Sequence, residues 1–213
     1  MTTLLTRYGL PPAEIEARSL AHVEATLGAR LPADPAERAV AVRMVYAAGD
    51  LTLADAIRIS PGAVSAAVNA LCGAMPIIVD VRMLAAAVVG GPLRELGSEV
   101  LVALDVRGVA ERARAEAITR AAAGMALLAP RWKGAVVAIG TAPTALLALL
   151  DLVDAGHAPP AIVVGTPVGF VAAAESKAEL MRRAIPYVTV EGTRGGAALA
   201  AAAVNALGRL ALA

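Results

Sequence analysis

In the C-terminal half of the chain a short apolar run passes directly into a glycine-rich turn and then into an Ala/Leu stretch, and this happens three times. The runs are Ala135–Ile139, Ala161–Val164 and Tyr187–Glu191. The turns are Gly140-Thr141-Ala142-Pro143-Thr144, Gly165-Thr166-Pro167-Val168-Gly169 and Gly192-Thr193-Arg194-Gly195-Gly196. A strand that turns tightly into a helix, and repeats the pattern, builds a parallel sheet, because parallel neighbours need a crossover and a helix is the usual one. The first two runs are apolar at consecutive positions rather than at alternate ones. That predicts central strands with both faces covered by helices. Tyr187, Thr189 and Glu191 would share one polar face, so the third run reads as an edge strand.

Two earlier runs, Ile77–Asp80 and Val100–Leu104, complete five predicted strands. Helices are predicted at Pro12–Leu27, Pro35–Ala47, Ser60–Cys72, Arg107–Leu128, Pro143–Ala155, Ala172–Arg183 and Ala197–Leu212. Pro61 and Pro143 sit where a first helical turn tolerates proline, and Gly156 suits a helix end. The expectation is one α/β domain over residues 1–213, with a largely parallel sheet flanked by helices on both faces.

Several function classes are excluded by composition. Cys72 is the single cysteine, so an intrachain disulfide and a thiolate zinc site are both ruled out. His22 and His157 lie far apart and neither belongs to an HExxH spacing, so no metal site is expected. Nineteen basic against eighteen acidic residues, without a basic run, leave no electrostatic footprint for nucleic acid, and five aromatic residues offer little for base stacking. A mean hydropathy of +0.69 invites a search for a membrane span. Pro143 interrupts one uncharged stretch and Pro159, Pro160 and Pro167 another, so no apolar run of about 20 residues survives. The N-terminal residues, with Arg7, Pro11, Pro12 and Glu14, lack the apolar segment of a signal peptide, and a cytoplasmic location is expected.

The chemistry-bearing residues concentrate in few places. In open α/β sheets ligands sit beyond the carboxyl ends of the strands, where turn N–H groups and helix N-termini favour anions. Thr141, Thr144 and Arg194 of the three turns are therefore candidate ligand contacts. Neither GxGxxG nor GxxxxGK[ST] occurs, which disfavours dinucleotides and triphosphates, and no GxSxG elbow is present. In VRMVYAAGD, Arg43, Tyr46 and Asp50 follow at spacings of three and four and share one helix face. Ser19 and His22 are three residues apart on the first long predicted helix, and His22 reads as an ordinary surface or partly buried helix residue.

With these segments in place the sequence resembles the precorrin-8X methylmutase family, including its cobalt-precorrin-8 members. The resemblance runs nearly end to end and is carried by IGTAPTALLALL (139–150), VVGTPVGFVAAAESKAEL (163–180) and EGTRGGAALAAAAVNAL (191–207), with PIIVDVRML (76–84) in support. It implies an α/β homodimer that binds a polycarboxylated tetrapyrrole and moves the methyl group on C-11 of precorrin-8X to C-12, giving hydrogenobyrinate or its cobalt equivalent. The resemblance further implies that no cofactor is consumed, that a ring nitrogen is protonated or hydrogen-bonded by a general acid, and that substrate passes to or from neighbouring enzymes of the corrin pathway.

By motif, Ser19 and Arg43 match substrate-contacting positions, and Tyr46 stands where the family usually has its catalytic histidine. An imidazole, titrating near about 6.5, can release a proton at neutral pH, whereas a phenol near about 10 is a poor acid but a good hydrogen-bond donor. Tyr46 is thus the expected catalytic residue, polarising a ring nitrogen. Thr141 replaces a customary Asn, and Ala197 replaces a Ser that commonly follows the two glycines. Thr119 and Arg120 also fit a family pattern, Arg120 as a bidentate carboxylate partner, with Arg194 and Lys177 as further contacts. Two other readings stand beside the isomerase: a non-catalytic tetrapyrrole binder or carrier, suggested by the missing histidine, and an unrelated small-anion or nucleotide enzyme, suggested only by the glycine-rich turns.

Overall fold

The central strands explain the architecture. Along them, Ile77, Val79, Val136, Ala138, Ile162 and Val164 face one apolar core, while Ile78, Val137, Ile139 and Val163 face a second. Side chains alternate across a strand, so an uninterrupted apolar run must be covered on both sides. The computed structural model describes residues 3–88 and 92–213. The elements in order are α1 Leu4–Tyr8, α2 Pro12–Leu27, α3 Pro35–Ala48, β1 Ile57–Ile59, α4 Ala63–Cys72, β2 Ile77–Val79, α5 Arg82–Val88, α6 Pro92–Glu95, β3 Val100–Val102, α7 Val109–Ala115, α8 Arg120–Leu127, β4 Val136–Ile139, α9 Pro143–Asp154, β5 Ile162–Gly165, α10 Ala173–Met181, β6 Tyr187–Val190 and α11 Ala197–Ala211. A 3-10 turn at Leu51–Ala56 links α3 to β1.

The strands form one sheet in the order β1-β6-β5-β4-β2-β3, parallel throughout except for β1, which runs antiparallel to β6. Residues of α2, α3, α4, α5 and α11 bury into the first core, and residues of α8, α9 and α10 into the second. The expected α/β fold with a largely parallel sheet and helices on both faces is therefore present.

Two sequence expectations need correction. β6 is not an edge: it lies between β5 and β1, and Thr189 is buried there with its hydroxyl donating to the Gly165 carbonyl at 2.5 Å. A polar side chain on an interior strand is tolerated once its hydrogen bond is made. The edge on that side of the sheet is β1, a three-residue IRI segment too short to stand out. Arg107–Leu128 is not one helix either, since α7 ends at Ala115 and α8 begins at Arg120. Between them Ala117 takes φ +52°, and the Thr119 hydroxyl accepts from the Ala122 N–H at 3.2 Å as a new N-cap.

Candidate active site

The helix α3 is delimited at both ends by its own sequence. Asp34 Oδ1 accepts from the N–H groups of Ala36 and Glu37, each at 2.9 Å, Pro35 occupies the first turn, and Gly49 closes the helix at φ +62°. Val40, Ala41, Val42, Met44 and Val45 are buried in the first core, with α3 packed against α11 and α2, which leaves Arg43 and Tyr46 toward the rim. Tyr46 is 38% exposed.

Across from it, α2 presents Ile15, Arg18, Ser19 and His22 to a cleft of about 460 Å³ whose other wall is Val45, Tyr46, Gly49, Asp50 and Leu51. Ser19 and Tyr46 thus face one hollow, although they come from different helices. The Ser19 hydroxyl donates to the Ile15 carbonyl at 2.7 Å, which leaves its oxygen lone pairs as acceptors toward the cleft. His22, exposed and one turn further along, is a cleft residue rather than the plain surface residue expected of it. Arg18 is a cationic wall residue that sequence reading missed, paired with Glu14 at 2.7 Å.

The rim of the cleft is fixed by charge. Arg194 Nη1 donates to Asp50 Oδ2 at 2.8 Å and to the Thr52 hydroxyl at 3.0 Å. The Thr52 hydroxyl and N–H, and then Arg194, hold the Asp50 carboxyl below its ordinary range. Arg43 Nη1 donates to Glu16 Oε1 at 2.6 Å, and that hydrogen bond lowers the Glu16 carboxyl. Arg43 therefore braces α3 against α2 and lines, with Tyr46, Asn205 and Arg209, a second hollow of about 310 Å³ beside the first.

The other matched residues lie elsewhere. Thr119 and Thr144 are hydrogen-bonded to each other at 2.7 Å and line a separate cavity of about 470 Å³ between α8 and α9, with Arg120 exposed at the first turn of α8. Since α8 and α9 cover the second core, this cavity and the Ser19–Tyr46 cleft belong to opposite faces of the sheet. Lys177 is buried, and its ammonium donates to the Arg194 carbonyl at 2.6 Å. Burial pushes it down to about 8. Its position braces the turn that carries Arg194.

The first glycine-rich turn is not an open anion cradle. Asp80, just beyond β2, fills it: Oδ1 accepts from the Gly140 N–H at 3.3 Å, and Oδ2 accepts from Thr141 and Ala142 at 2.7 and 2.9 Å. Burial raises the Asp80 carboxyl, against the pull of those three donors. The N–H groups expected to meet an anionic ligand at Thr141 are thus taken by the protein's own carboxylate, and the Thr141 hydroxyl is a buried group with no partner among the described residues. The other two turns bind each other, Gly196 N–H to Thr166 carbonyl at 2.8 Å and Gly169 N–H to Thr193 carbonyl at 3.1 Å.

Comparison with known proteins points the same way as the motifs. A family profile described as precorrin-8X methylmutase matches residues 14–210. The precorrin-8X methylmutase of Pseudomonas aeruginosa is 44% identical over 181 residues, covering 84% of this chain and 86% of the relative. The cobalt-precorrin-8 methylmutase of Priestia megaterium is 34% identical over 200 residues, covering 94% and 88%. The crystal structure of the precorrin-8X methylmutase from Thermus thermophilus superposes with a TM-score of 0.85 at 38% identity, covering 93% of this chain and 97% of that one.

Proposed function

The chain belongs to the precorrin-8X methylmutase family, and on that footing we propose that it is the intramolecular isomerase of corrin biosynthesis that moves the C-11 methyl group of precorrin-8X to C-12. The product is hydrogenobyrinate, or its cobalt-containing equivalent. The observation that carries the reading is that Ser19 and Tyr46, matched to family positions by motif, line one cleft although they come from different helices.

The cleft suits the chemistry. Substrate and product are isomers, so the site has to hold the ring, place a hydrogen-bond donor at a ring nitrogen and supply no redox equivalent. Tyr46 presents a phenolic donor, Ser19 an acceptor, and Arg18 and Arg194 lie where carboxylate arms would reach cations. Thr119, Thr144 and Arg120 add a further polar cluster on the other face of the sheet. Arg120 puts a guanidinium at a helix N-terminus, where the helix dipole disfavours a lone cation and favours an anion beside it. A second copy, docked so that this cluster meets the cleft of the first, would give one macrocycle contacts from both, and the functional unit is accordingly a homodimer. Phe170 at 94% and Val171 at 85% exposure are apolar groups that such an interface would cover.

We place the enzyme in the cytoplasm, exchanging substrate and product with the neighbouring enzymes of the pathway. No helix among the described residues is long and apolar enough to cross a membrane. The test is anaerobic incubation of pure protein with metal-free and with cobalt-containing precorrin-8, following the visible spectrum. Formation of hydrogenobyrinate or its cobalt equivalent is expected. Binding of both substrates without conversion would move the chain to the carrier reading.

A further inference from the structure

We infer that His22 is the proton donor of the methyl shift, acting from α2 on the ligand that Tyr46 contacts from α3. This rests on the isomerase reading above. Ser19 and His22, three residues apart, share the face of α2 that walls the cleft, and Tyr46 stands on the opposing wall. A macrocycle lying between the two helices therefore meets the imidazole and the phenol together.

The charged groups around His22 on the cleft side are engaged with one another. On its own helix Arg18 is paired with Glu14 at 2.7 Å, and Glu16 with Arg43 of α3 at 2.6 Å. From the turn after α3, Asp50 is paired with Arg194 at 2.8 Å and is held ionised by Thr52 and Arg194. Further along α2 stands Glu24, exposed and two residues from His22, and beyond the helix Arg30 is paired with Asp55 at 2.6 Å. Guanidinium groups do not release protons in proteins, ionised carboxylates have none to release, and phenols hold theirs to high pH. Imidazole is the side chain that ordinarily changes charge between pH 5 and 8. The sequence's other imidazole, His157, lies on the opposite side of the sheet, its ring 6.4 Å from that of Trp132 in the second core.

The step balances within the substrate. The imidazolium shares its N–H proton with a ring nitrogen, the bond from the methyl carbon to C-11 breaks as the bond to C-12 forms, and the electron pair of the migrating bond is redistributed through the conjugated ring. When conjugation resettles, the proton returns to His22. No oxidant, reductant or second substrate enters.

The experiment measures turnover of precorrin-8 against pH, together with hydrogenobyrinate binding, for wild type, His22→Gln, His157→Gln and the double variant His22→Gln/Tyr46→His. His22 is exposed and glutamine is a good helix former, so the substitution leaves the fold intact. For wild type kcat is expected to fall as pH rises through neutrality. His22→Gln is expected to bind hydrogenobyrinate as wild type does, to lose about 10²- to 10⁴-fold in kcat and to lose that alkaline fall. His157→Gln keeps both, and the double variant regains rate and pH limb because position 46 faces the same cleft. Wild-type kcat and pH dependence in His22→Gln would overturn the role of His22 alone. Loss of hydrogenobyrinate binding in step with rate would make His22 a binding residue and also overturn it. Absence of conversion by wild type would instead overturn the isomerase reading, and this role with it.

Discussion

Tyr46 stands on the α3 wall of the cleft, where its ring adds to the wall and its phenol offers a hydrogen-bond donor. Removing only the hydroxyl separates those functions: Tyr46→Phe keeps the ring and its packing on α3. It is expected to bind hydrogenobyrinate normally and to lose about tenfold in kcat, the worth of one hydrogen bond made in the transition state. Unchanged turnover in the same spectral assay would leave the phenol without a chemical role. Lys177 makes a different kind of prediction, about stability. Burial lowers its ammonium from 10.5 to about 8 in the folded chain. Between those values the unfolded chain binds more proton, so stability rises with pH across that window, and below about 8 the cost of burying the charge is present in full. Lys177→Met should remove that rise, which urea unfolding of both proteins at pH 8 and pH 10 would register. Ser19, Arg43 and Tyr46 were singled out in the sequence because each sits in a local motif, and the fold brings Ser19 and Tyr46 to one cleft with Arg43 beside it. Arg18 was missed, and His22 read as a surface residue, because only the approach of α3, a separate helix, makes them cleft residues, and nothing in IEARSLAHVE records that approach.

The elements that carry the site are joined by close backbone packing at the ends of β4, β5 and β6. A Cβ on Gly195 would lie 2.2 Å from the Thr166 carbonyl oxygen, and one on Gly140 would lie 2.6 Å from the Ala197 Cα. Those glycines let the turn after β6 and the start of α11 press against their neighbours, and through Arg194 they reach the rim of the cleft. Gly195→Ala should cost about 1–3 kcal/mol by overpacking and should loosen the Arg194–Asp50 pair, visible as a lowered Tm together with weaker hydrogenobyrinate binding. Asp80→Asn tests the neighbouring turn. An amide offers one acceptor oxygen where the carboxylate has two, and its NH₂ would confront an N–H, so a loss of about 1–3 kcal/mol in thermal or urea unfolding is expected. The glycine-rich turns were visible as turns at the ends of strands, but their occupant was not. Asp80 is 60 residues from Gly140, and only the pairing of β2 with β4 brings its carboxylate to that turn. The same physics hid β1 and the break between α7 and α8. A three-residue strand has no period of its own, and Ala117, where α7 gives way to α8, adopts a positive φ that alanine does not favour.

At the scale of the whole molecule the sheet itself divides the candidate ligand contacts. Ser19, His22 and Tyr46 lie with the helices of one face, and Thr119, Thr144 and Arg120 with those of the other. In an isologous dimer each copy's first group can meet the other copy's second group, which generates two equivalent sites. Light scattering should then give twice the 21.4 kDa of the chain, and subunit mixing should give a sharper result. Tyr46→Phe copies are damaged only in the cleft, and Arg120→Ala copies only in the second cluster. After random reassortment half the dimers are mixed, and each mixed dimer holds one site with both lesions and one site with neither. A mixture of the two variants should therefore recover about a quarter of wild-type activity above the average of the separate variants. A mixture no more active than that average would mean that Arg120 serves no site shared between copies. A monomeric mass would remove the dimer and leave the cleft between α2 and α3 to hold the macrocycle alone.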